Sequence, residues 1–150
     1  MDRNRAALLR QRLVLDASMV LAWILDEAGA VELEATFSAL QSSEAWVPPI
    51  WEVECVNAIL RGFRARRITA AAASSALAEI SALPVEVDAE PPAPGALFAL
   101  AADSAVSAYD ALYLELARRL SCPLATLDVG LRQAARRAGI ELVPRNQPRR

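Results

Sequence analysis

Two apolar runs in this chain of 150 residues each end in an aspartate that leads directly into a helical pattern. The first run is LVL before Asp16, and the second is LATL before Asp128. Short apolar runs of this kind indicate buried strands, and apolar residues at helical spacing, such as Val20, Leu21 and Ile24, indicate a helix. Strands that alternate with helices are typical of a parallel sheet covered on both faces. We therefore expect an α/β fold, a three-layer α/β/α sandwich with a mainly parallel central sheet.

The rest of the chain continues this alternation. Strands are predicted at 12–16, 84–88, 123–128 and 140–144, and a short apolar AWV segment lies at 45–47. Helices are predicted at 17–27, 30–41, 50–67, 69–83, 96–102, 107–120 and 129–139. The stretch AEPPAPG at 89–95 is interpreted as a loop, because helical patterns resume on both sides. We expect one domain over 1–150, with an N-terminal extension at 1–11 and a frayed tail at 145–150.

Two residue types are missing from the chain, and their absence excludes several kinds of chemistry. The chain contains no histidine and no lysine, since all 16 basic residues are arginine. Without histidine it cannot build a Ser-His-Asp or Cys-His centre. Without lysine it has neither a Walker A loop nor a Schiff-base residue. If the protein is an enzyme, the chemistry must come from carboxylates, hydroxyls, arginines or a metal.

The termini and cysteines favour a cytoplasmic protein. The N-terminal segment is charged, and its apolar stretch at 6–9 is too short for a secretory signal. Cys55 and Cys122 lie in apolar surroundings without a Cys-x-x-Cys spacing, so we expect two reduced thiols rather than a zinc site.

Asp16 and Asp128 lie where a parallel sheet places its ligands. The carboxyl ends of parallel strands form the edge at which ligands bind, at a switch in strand order. Aspartate before a helix is also a favoured N-cap, which stabilises the helix by about 1 kcal/mol and needs no further function. Two aspartates at equivalent strand ends favour a site, but the capping interpretation stays open for each.

Asp110 lies at the edge of the predicted buried face of the helix over 107–120. A buried charge is costly unless it is hydrogen-bonded, paired or bound to a cation. A pairing with an arginine is the alternative to a functional role. The predicted apolar face consists of Tyr109, Leu112, Tyr113, Leu116 and Leu120.

Periodicity does not choose between Glu52 and Glu54 in the helix over 50–67. Glu52 falls inside the apolar stripe, whereas Glu54 shares a polar face with Asn57 and Arg61. That polar face is also typical of a solvated helix surface. The predicted apolar stripe consists of Val53, Val56, Ile59, Leu60 and Phe63. If these acids gather, the usual remedy for their repulsion is a hard divalent cation such as Mg²⁺ or Mn²⁺.

At these residues the chain resembles the PIN-domain nucleases, and specifically the VapC-type toxins of bacterial toxin–antitoxin pairs. The matching segments are LVLDAS with Asp16, VPPIWEVECVNAILRG with Glu54 and Asn57, AYDALYLELARRL with Asp110, and PLATLDVGLRQAA with Asp128. The last two segments are the most specific. The match runs from LVLDAS to the final IELVP, and the extension before Arg12 departs from it.

The resemblance implies a Mg²⁺- or Mn²⁺-dependent endoribonuclease that leaves a 3′-hydroxyl and is silenced by an antitoxin. It implies that Asp16, Glu54, Asp110 and Asp128 are the catalytic and metal-binding residues, and so selects Glu54 over Glu52. Three further residues are predicted to support the site. They are Ser18, Asn57 and Thr126.

RNA affinity is expected to come from local arginines, because the net charge is −2. The candidates are Arg61, Arg64 and Arg67, with Arg66 and the Arg118–Arg119 pair also considered. Each could equally be an ordinary solvated helix end. Apolar helices with Trp23, Trp46, Trp51 and Phe63 suggest a homodimer and a groove for an antitoxin helix.

Two other functions remain open at the level of the sequence. An aspartyl phosphoryl-acceptor domain would use Asp16 but normally also needs a lysine, which the chain lacks. A PIN-like interaction module without turnover would keep the fold and the partner surface. The presence of all four acids argues against that module.

Overall fold

The protein is described here by a computed structural model that covers residues 11–24, 38 and 40–146. Strands and helices alternate along it, as predicted. The strands within these residues are β1 (Gln11–Leu15), β2 (Ser43–Val47), β3 (Val85–Val87), β4 (Leu124–Ala125) and β5 (Leu142–Val143). The helices are α1 (Ala17–Ile24), α2 (Trp51–Arg64), α3 (Ala70–Ala82), α4 (Pro94–Ser104), α5 (Ala108–Leu120) and α6 (Val129–Arg137).

The five strands form one sheet in the order β3-β2-β1-β4-β5, and all four pairings are parallel. Val14 of β1 is paired with Trp46 of β2 on one side and with Leu124 of β4 on the other. The chain moves outward from β1 to β3 and then returns to build β4 and β5 on the opposite side. The switch in strand order therefore lies between β1 and β4, where open α/β sheets bind ligands.

The core explains why β1 is the central strand. Leu13, Val14 and Leu15 are at most 2% exposed, because helices cover both faces of the sheet. Helix α5 packs against β1 and β4 and contributes Leu114 and Leu116, which are fully buried. Helices α1, α2 and α3 pack against one another, as do α4, α5 and α6 in sequence. The predicted three-layer α/β/α sandwich is confirmed.

Several predicted element boundaries differ from the structure. The helix predicted over 50–67 ends at Arg64, because Arg66 adopts a left-handed backbone with φ of 56°. The helix predicted from residue 96 already begins at Pro94, which suits a first helical position because it needs no N–H donor. Thr69 caps α3 as predicted, since its hydroxyl accepts a hydrogen bond from the Ala72 N–H at 3.1 Å.

The apolar stripe predicted for α2 was wrong in three positions. Val53, Val56 and Phe63 are 53%, 41% and 45% exposed, respectively. The buried side of α2 instead carries Trp51 and Cys55, together with Ile59 from the predicted stripe. The helix is rotated relative to the prediction because its position depends on its contacts with α1 and α3, which periodicity does not contain.

Some predictions fall mainly on residues outside the described ranges. Of the helix predicted over 30–41, only 38, 40 and 41 are described, and all three are helical. Most of the extension over 1–11 and of the tail over 145–150 also lies outside. Among the described helices, none is long and apolar enough by itself to cross a membrane. Only α4 and α5 taken together pass that test, across a bend of 99°.

Candidate active site

Asp16 follows β1 directly and is only 8% exposed. Its backbone N–H donates to the Ala125 carbonyl of β4 at 2.9 Å, which continues the sheet by one residue. Its carboxylate oxygen Oδ2 accepts hydrogen bonds from Ser18 Oγ at 2.5 Å and from Thr126 Oγ1 at 2.7 Å. The Asp16 carboxylate is thus held by two hydroxyls rather than by N–H groups of α1, as an N-cap would be.

The same two hydroxyls join the end of β1 to the turn after β4. Thr126 Oγ1 accepts a hydrogen bond from the Asp128 N–H at 3.0 Å, and Ser18 Oγ accepts one from the Leu127 N–H at 3.0 Å. Each hydroxyl therefore donates to Asp16 while accepting from the backbone of the turn that carries Asp128. Ser18 and Thr126 have the contacts expected of supporting residues.

Asp128 is the N-cap of α6. Its Oδ1 atom accepts a hydrogen bond from the Leu131 N–H at 2.7 Å. The capping alternative is correct for this residue, and it does not exclude a second role, because only Oδ1 is used in the cap.

Asp110 lies in the first turn of α5 and is fixed by the helix cap. Ser107 Oγ accepts from the Asp110 N–H at 3.1 Å and donates to Asp110 Oδ2 at 2.9 Å. No arginine among the described residues forms an ion pair with Asp110. The apolar face predicted for α5 needs correction, because Tyr109 is 59% exposed. The buried face continues instead from the side of Asp110 through Tyr113 and Ala117.

Glu54 is half-buried in the first turns of α2, whereas Glu52 is exposed. The hydroxyl of Tyr113, on α5, donates a hydrogen bond to Glu54 Oε2. Tyr113 is fully buried, so its hydroxyl needs a partner inside the protein. Helical periodicity predicts Tyr113 only as part of the apolar face and does not reveal this contact. The signal available was a tyrosine, rather than a phenylalanine, at a buried position three residues after Asp110.

The four carboxylates of Asp16, Glu54, Asp110 and Asp128, hereafter the acidic cluster, lie within reach of one another's charge. Burial is the main cause that raises the pKa of Asp16, and the charges of Asp110 and Asp128 raise it further. Burial also raises the pKa of Glu54, with added repulsion from Asp16 and Asp110. The pKa of Asp110 is raised by burial and then by Asp128. Hydrogen bonds from Ser18, Thr126, Tyr113 and Ser107 act in the opposite direction.

Within the acidic cluster, the two oxygens of a carboxylate differ in the hydrogen bonds that they accept. In Asp16, Glu54 and Asp128, one oxygen accepts all hydrogen bonds that the described residues donate to the carboxylate, and the second accepts none. In Asp110, Oδ2 accepts from Ser107 Oγ, and the Ser107 N–H also interacts with the carboxylate. The oxygens in use are Oδ2 of Asp16, Oε2 of Glu54, Oδ2 of Asp110 and Oδ1 of Asp128. The cluster is thus held in place by one set of oxygens while the other set is available to a ligand.

The donor set fits a hard divalent cation, because carboxylate oxygens are the preferred ligands of Mg²⁺ and Mn²⁺. A cation would also relieve the repulsion that raises these pKa values. Within the described ranges, no three acidic, cysteine or histidine side chains are already arranged to hold a metal ion. Cation binding would therefore require the carboxylates to adjust.

The remaining predicted residues are not joined to the acidic cluster by contacts. Asn57, Arg61, Arg64 and Arg67 are exposed, and none of their side chains forms an ion pair or hydrogen bond among the described residues. The cavity of about 530 Å³ at the end of α2 is lined by Phe63, Arg64, Arg66, Arg67, Ile68 and Thr69.

Arg119 is not a free cation, unlike the arginines of α2. Its guanidinium binds the buried Asp88 at 2.6 Å and Glu115 at 2.8 Å. The charge of Arg119 is thus already neutralised within the fold, which removes it from the arginines considered for RNA.

Comparison with known proteins agrees with this architecture. The chain resembles PAE2754 from Pyrobaculum aerophilum, with a TM-score of 0.68 and 21% identity over 91% of this chain and 92% of that one. It also resembles FitAcB from Neisseria gonorrhoeae, with a TM-score of 0.58 and 16% identity over 87% of this chain and 95% of that one. At these identities the likeness is one of fold.

None of the curated proteins matches the sequence significantly. Residues 13–137 match the family model of the PIN domain. The matched range begins in β1 and ends with α6, so it contains the central strand and all four members of the acidic cluster. The chain therefore belongs to the PIN-domain family.

Proposed function

We propose that this protein is a Mg²⁺- or Mn²⁺-dependent endoribonuclease of the VapC type, the toxin of a type II toxin–antitoxin pair. PIN domains are commonly nucleases, and the division of oxygens within the acidic cluster is the observation that carries the proposal for this chain. Asp16 is buried and Glu54 and Asp110 are half-buried, and charged carboxylates in such positions are costly to a fold unless hydrogen bonds or a cation compensate them. We propose that the protein acts in the cytoplasm, where its RNA substrate is present.

The metal, when bound, would supply an activated water and neutralise charge during hydrolysis of an RNA phosphodiester. Asp16, Glu54, Asp110 and Asp128 would hold it. Ser18 and Thr126 keep the Asp16 carboxylate oriented by donating to Oδ2, and their bonds favour its ionised form. Tyr113 does the same for Glu54 across the gap between α5 and α2.

RNA would be held by the arginines of α2 and the following turn. Arg61 lies seven residues after Glu54 on the same helix, and Arg64 lies three residues after Arg61. Both arginines are therefore displaced from the acidic cluster along the axis of α2. Their guanidinium groups can bind phosphate oxygens in a fork geometry. Arg67 extends this exposed basic surface beyond the helix, beside the cavity that it lines with Arg64.

The antitoxin is proposed to cover apolar side chains between α2 and α3. A cavity of about 360 Å³ there is lined by Val56, Ile59, Leu60, Phe63, Ala70, Ala73, Ser74 and Leu77. Of the aromatic residues expected to serve this surface, Phe63 lines the cavity, whereas Trp51 is 3% exposed and buried within the fold. An amphipathic helix could place its apolar face in such a groove. The homodimer is a further proposal, which light scattering of the purified protein would test.

The decisive experiment is cleavage of single-stranded RNA by the purified protein in Mg²⁺ or Mn²⁺, with and without a chelator. Asp16→Asn and Asp110→Asn should each lower cleavage by about 100-fold or more, because they remove charge where the metal binds. Asp103→Asn is the matched control, since Asp103 is exposed on α4 and lies outside the acidic cluster.

Cleavage that persists in chelator, or in folded Asp16→Asn protein, would contradict the metal-dependent mechanism. If no RNA is cut under any condition, the alternative of an inactive PIN-like interaction module is favoured. A DNA strand of the same sequence tests whether the substrate is RNA rather than nucleic acid in general.

A further inference from the structure

Arg132, on α6, is a fully buried arginine with a relative exposure of 0%. Its guanidinium donates to three backbone carbonyls. Nη1 donates to the Thr126 oxygen at 2.7 Å, and Nη2 donates to the Pro144 oxygen at 2.7 Å and the Arg145 oxygen at 3.1 Å. These carbonyls lie just beyond β4 and β5, so a single side chain bridges the ends of two neighbouring strands.

In the part of the chain that the structure describes, this arginine has no anionic partner. Among the described residues no carboxylate forms an ion pair with it, and its Nε atom is buried without a hydrogen-bond partner. Burial and the nearby charge of Arg136 lower the pKa of Arg132. A buried ion without a counter-charge is generally less stable than an apolar side chain of the same size. Packing alone therefore does not explain an arginine at this position.

The contact with Thr126 connects Arg132 to the acidic cluster. The Thr126 carbonyl accepts from Arg132, while the Thr126 hydroxyl donates to Asp16 at 2.7 Å and accepts from the Asp128 N–H at 3.0 Å. The guanidinium thus fixes the backbone of the residue that carries this hydroxyl. The planar guanidinium of arginine donates to carbonyls in two directions at once. Lysine and methionine cannot do this.

We infer that Arg132 is a positioning residue for the acidic cluster. It acts through the Thr126 backbone, and it anchors that backbone to the chain segment after β5. This inference rests on the proposed function, because the geometry that Arg132 fixes is that of the proposed metal site. Residues that orient metal ligands typically change metal affinity or activity by about 10-fold to 100-fold when they are replaced.

The test compares Arg132→Met, which keeps length without charge, with Arg132→Lys, which keeps charge without the fork. Arg136→Met is the matched control, because Arg136 is exposed on the same helix. Mn²⁺ affinity is measured directly by electron paramagnetic resonance, and kcat and KM for RNA are measured per folded molecule, with folding monitored by circular dichroism. We expect both Arg132 variants to bind Mn²⁺ about tenfold more weakly and to lose kcat about tenfold, with KM unchanged.

A double-mutant cycle separates positioning from a general loss of packing. Thr126→Val removes the hydroxyl through which Arg132 acts, so adding Arg132→Met to it should weaken Mn²⁺ binding by less than twofold further. Full additivity of the two changes would overturn the inference. If Arg132→Met does not fold, Arg132→Lys is used in the cycle instead.

The Mn²⁺ measurement distinguishes failure of this inference from failure of the proposed function. If the wild-type protein binds Mn²⁺ but cuts no RNA, the nuclease proposal fails while the effect of Arg132 on affinity still decides the inference. If folded Arg132→Met and Arg132→Lys bind Mn²⁺ as tightly as the wild type, Arg132 is not a positioning residue, whatever the protein cleaves. A wild-type protein that binds no Mn²⁺ would overturn both proposals.

Discussion

The Tyr113 hydroxyl donates a hydrogen bond to Glu54 Oε2, and this contact joins α5 to α2 beside the acidic cluster. The two residues are 59 positions apart in the chain. Tyr113 is fully buried, and Glu54 is half-buried. The bond therefore fixes a carboxylate on one helix by a group on the helix that also carries Asp110.

Tyr113→Phe removes only the oxygen atom that makes this contact. We expect cleavage to fall about tenfold, because Glu54 loses the group that orients it. The free energy of unfolding should fall by about 1 kcal/mol, as is usual for one hydrogen bond. Tyr109→Phe is the control on the same helix, since Tyr109 is 59% exposed. Equal effects of the two substitutions on cleavage would show that the Glu54 contact has no functional role.

Glu54→Gln and Glu52→Gln test the choice between the two glutamates of α2. Glu54 belongs to the acidic cluster and accepts from Tyr113, while Glu52 is exposed. Glu54→Gln should lower cleavage by about 100-fold, because the charge that would face the metal is lost. Glu52→Gln should leave cleavage within about twofold of the wild type, as expected for a surface charge. A larger loss of cleavage in Glu52→Gln than in Glu54→Gln would place Glu52 in the site, which helical periodicity alone leaves open.

Two substitutions of Asp128 distinguish its structural role as a helix cap from a chemical role in the acidic cluster. Asp128→Asn keeps an oxygen that can accept from the Leu131 N–H, whereas Asp128→Ala removes the cap entirely. Asparagine should preserve the midpoint of urea unfolding, and alanine should lower stability by about 1 kcal/mol. Both should lower cleavage. If Asp128→Asn cleaves RNA normally, the cap is the only role of Asp128.

The raised pKa values predict how stability depends on pH when no metal is bound. In the folded protein the pKa values of Asp16, Glu54 and Asp110 lie above the ordinary values of 3.8 for Asp and 4.5 for Glu. The folded protein therefore binds protons at these carboxylates more tightly than the unfolded chain does. Their contribution to stability is fully present below those ordinary values and is lost as the pH rises through the raised ones. Urea unfolding in chelator should therefore show stability increasing as the pH falls from about 7 toward about 5.

Asp16→Asn isolates this effect from the other titrating groups. The variant should depend less on pH than the wild type, because it lacks one of the raised carboxyls. Asp103→Asn should keep the wild-type dependence. Excess Mg²⁺ should stabilise the wild type at neutral pH, since binding to the folded state alone raises stability, and should leave Asp16→Asn unchanged. Parallel curves for Asp16→Asn and the wild type would contradict the electrostatic account.

Features set by neighbouring residues were predictable from the sequence. A strand followed by an aspartate and a helix is a local pattern, and Asp16 indeed lies directly between β1 and α1. Asp128 lies directly before α6 but three residues after β4, which is shorter than predicted. The hydroxyls of Ser18 and Thr126 lie within two residues of these aspartates, and both contact Asp16. The parallel sheet followed from the same alternation of strands and helices.

Features set by distant contacts were not predictable in the same way. Periodicity misplaced Val53, Val56 and Phe63 because the buried side of α2 is chosen by its neighbours α1 and α3. Arg132 would be placed at the surface by its charge, yet it is fully buried because three carbonyls meet it. The Glu54 contact with Tyr113 depends on how α2 and α5 are arranged around the sheet. Residue type alone does not contain that arrangement.

The central place of β1 has a consequence for how this protein is made. Asp16 is synthesised early, but the Thr126 hydroxyl that holds it lies 110 residues later. The sheet likewise gains β4 beside β1 only after most of the chain has been translated. A chain still on the ribosome thus has the first aspartate without the partners that complete its surroundings. The acidic cluster is therefore incomplete until Asp128 and the turn after β4 have been translated and have packed beside β1.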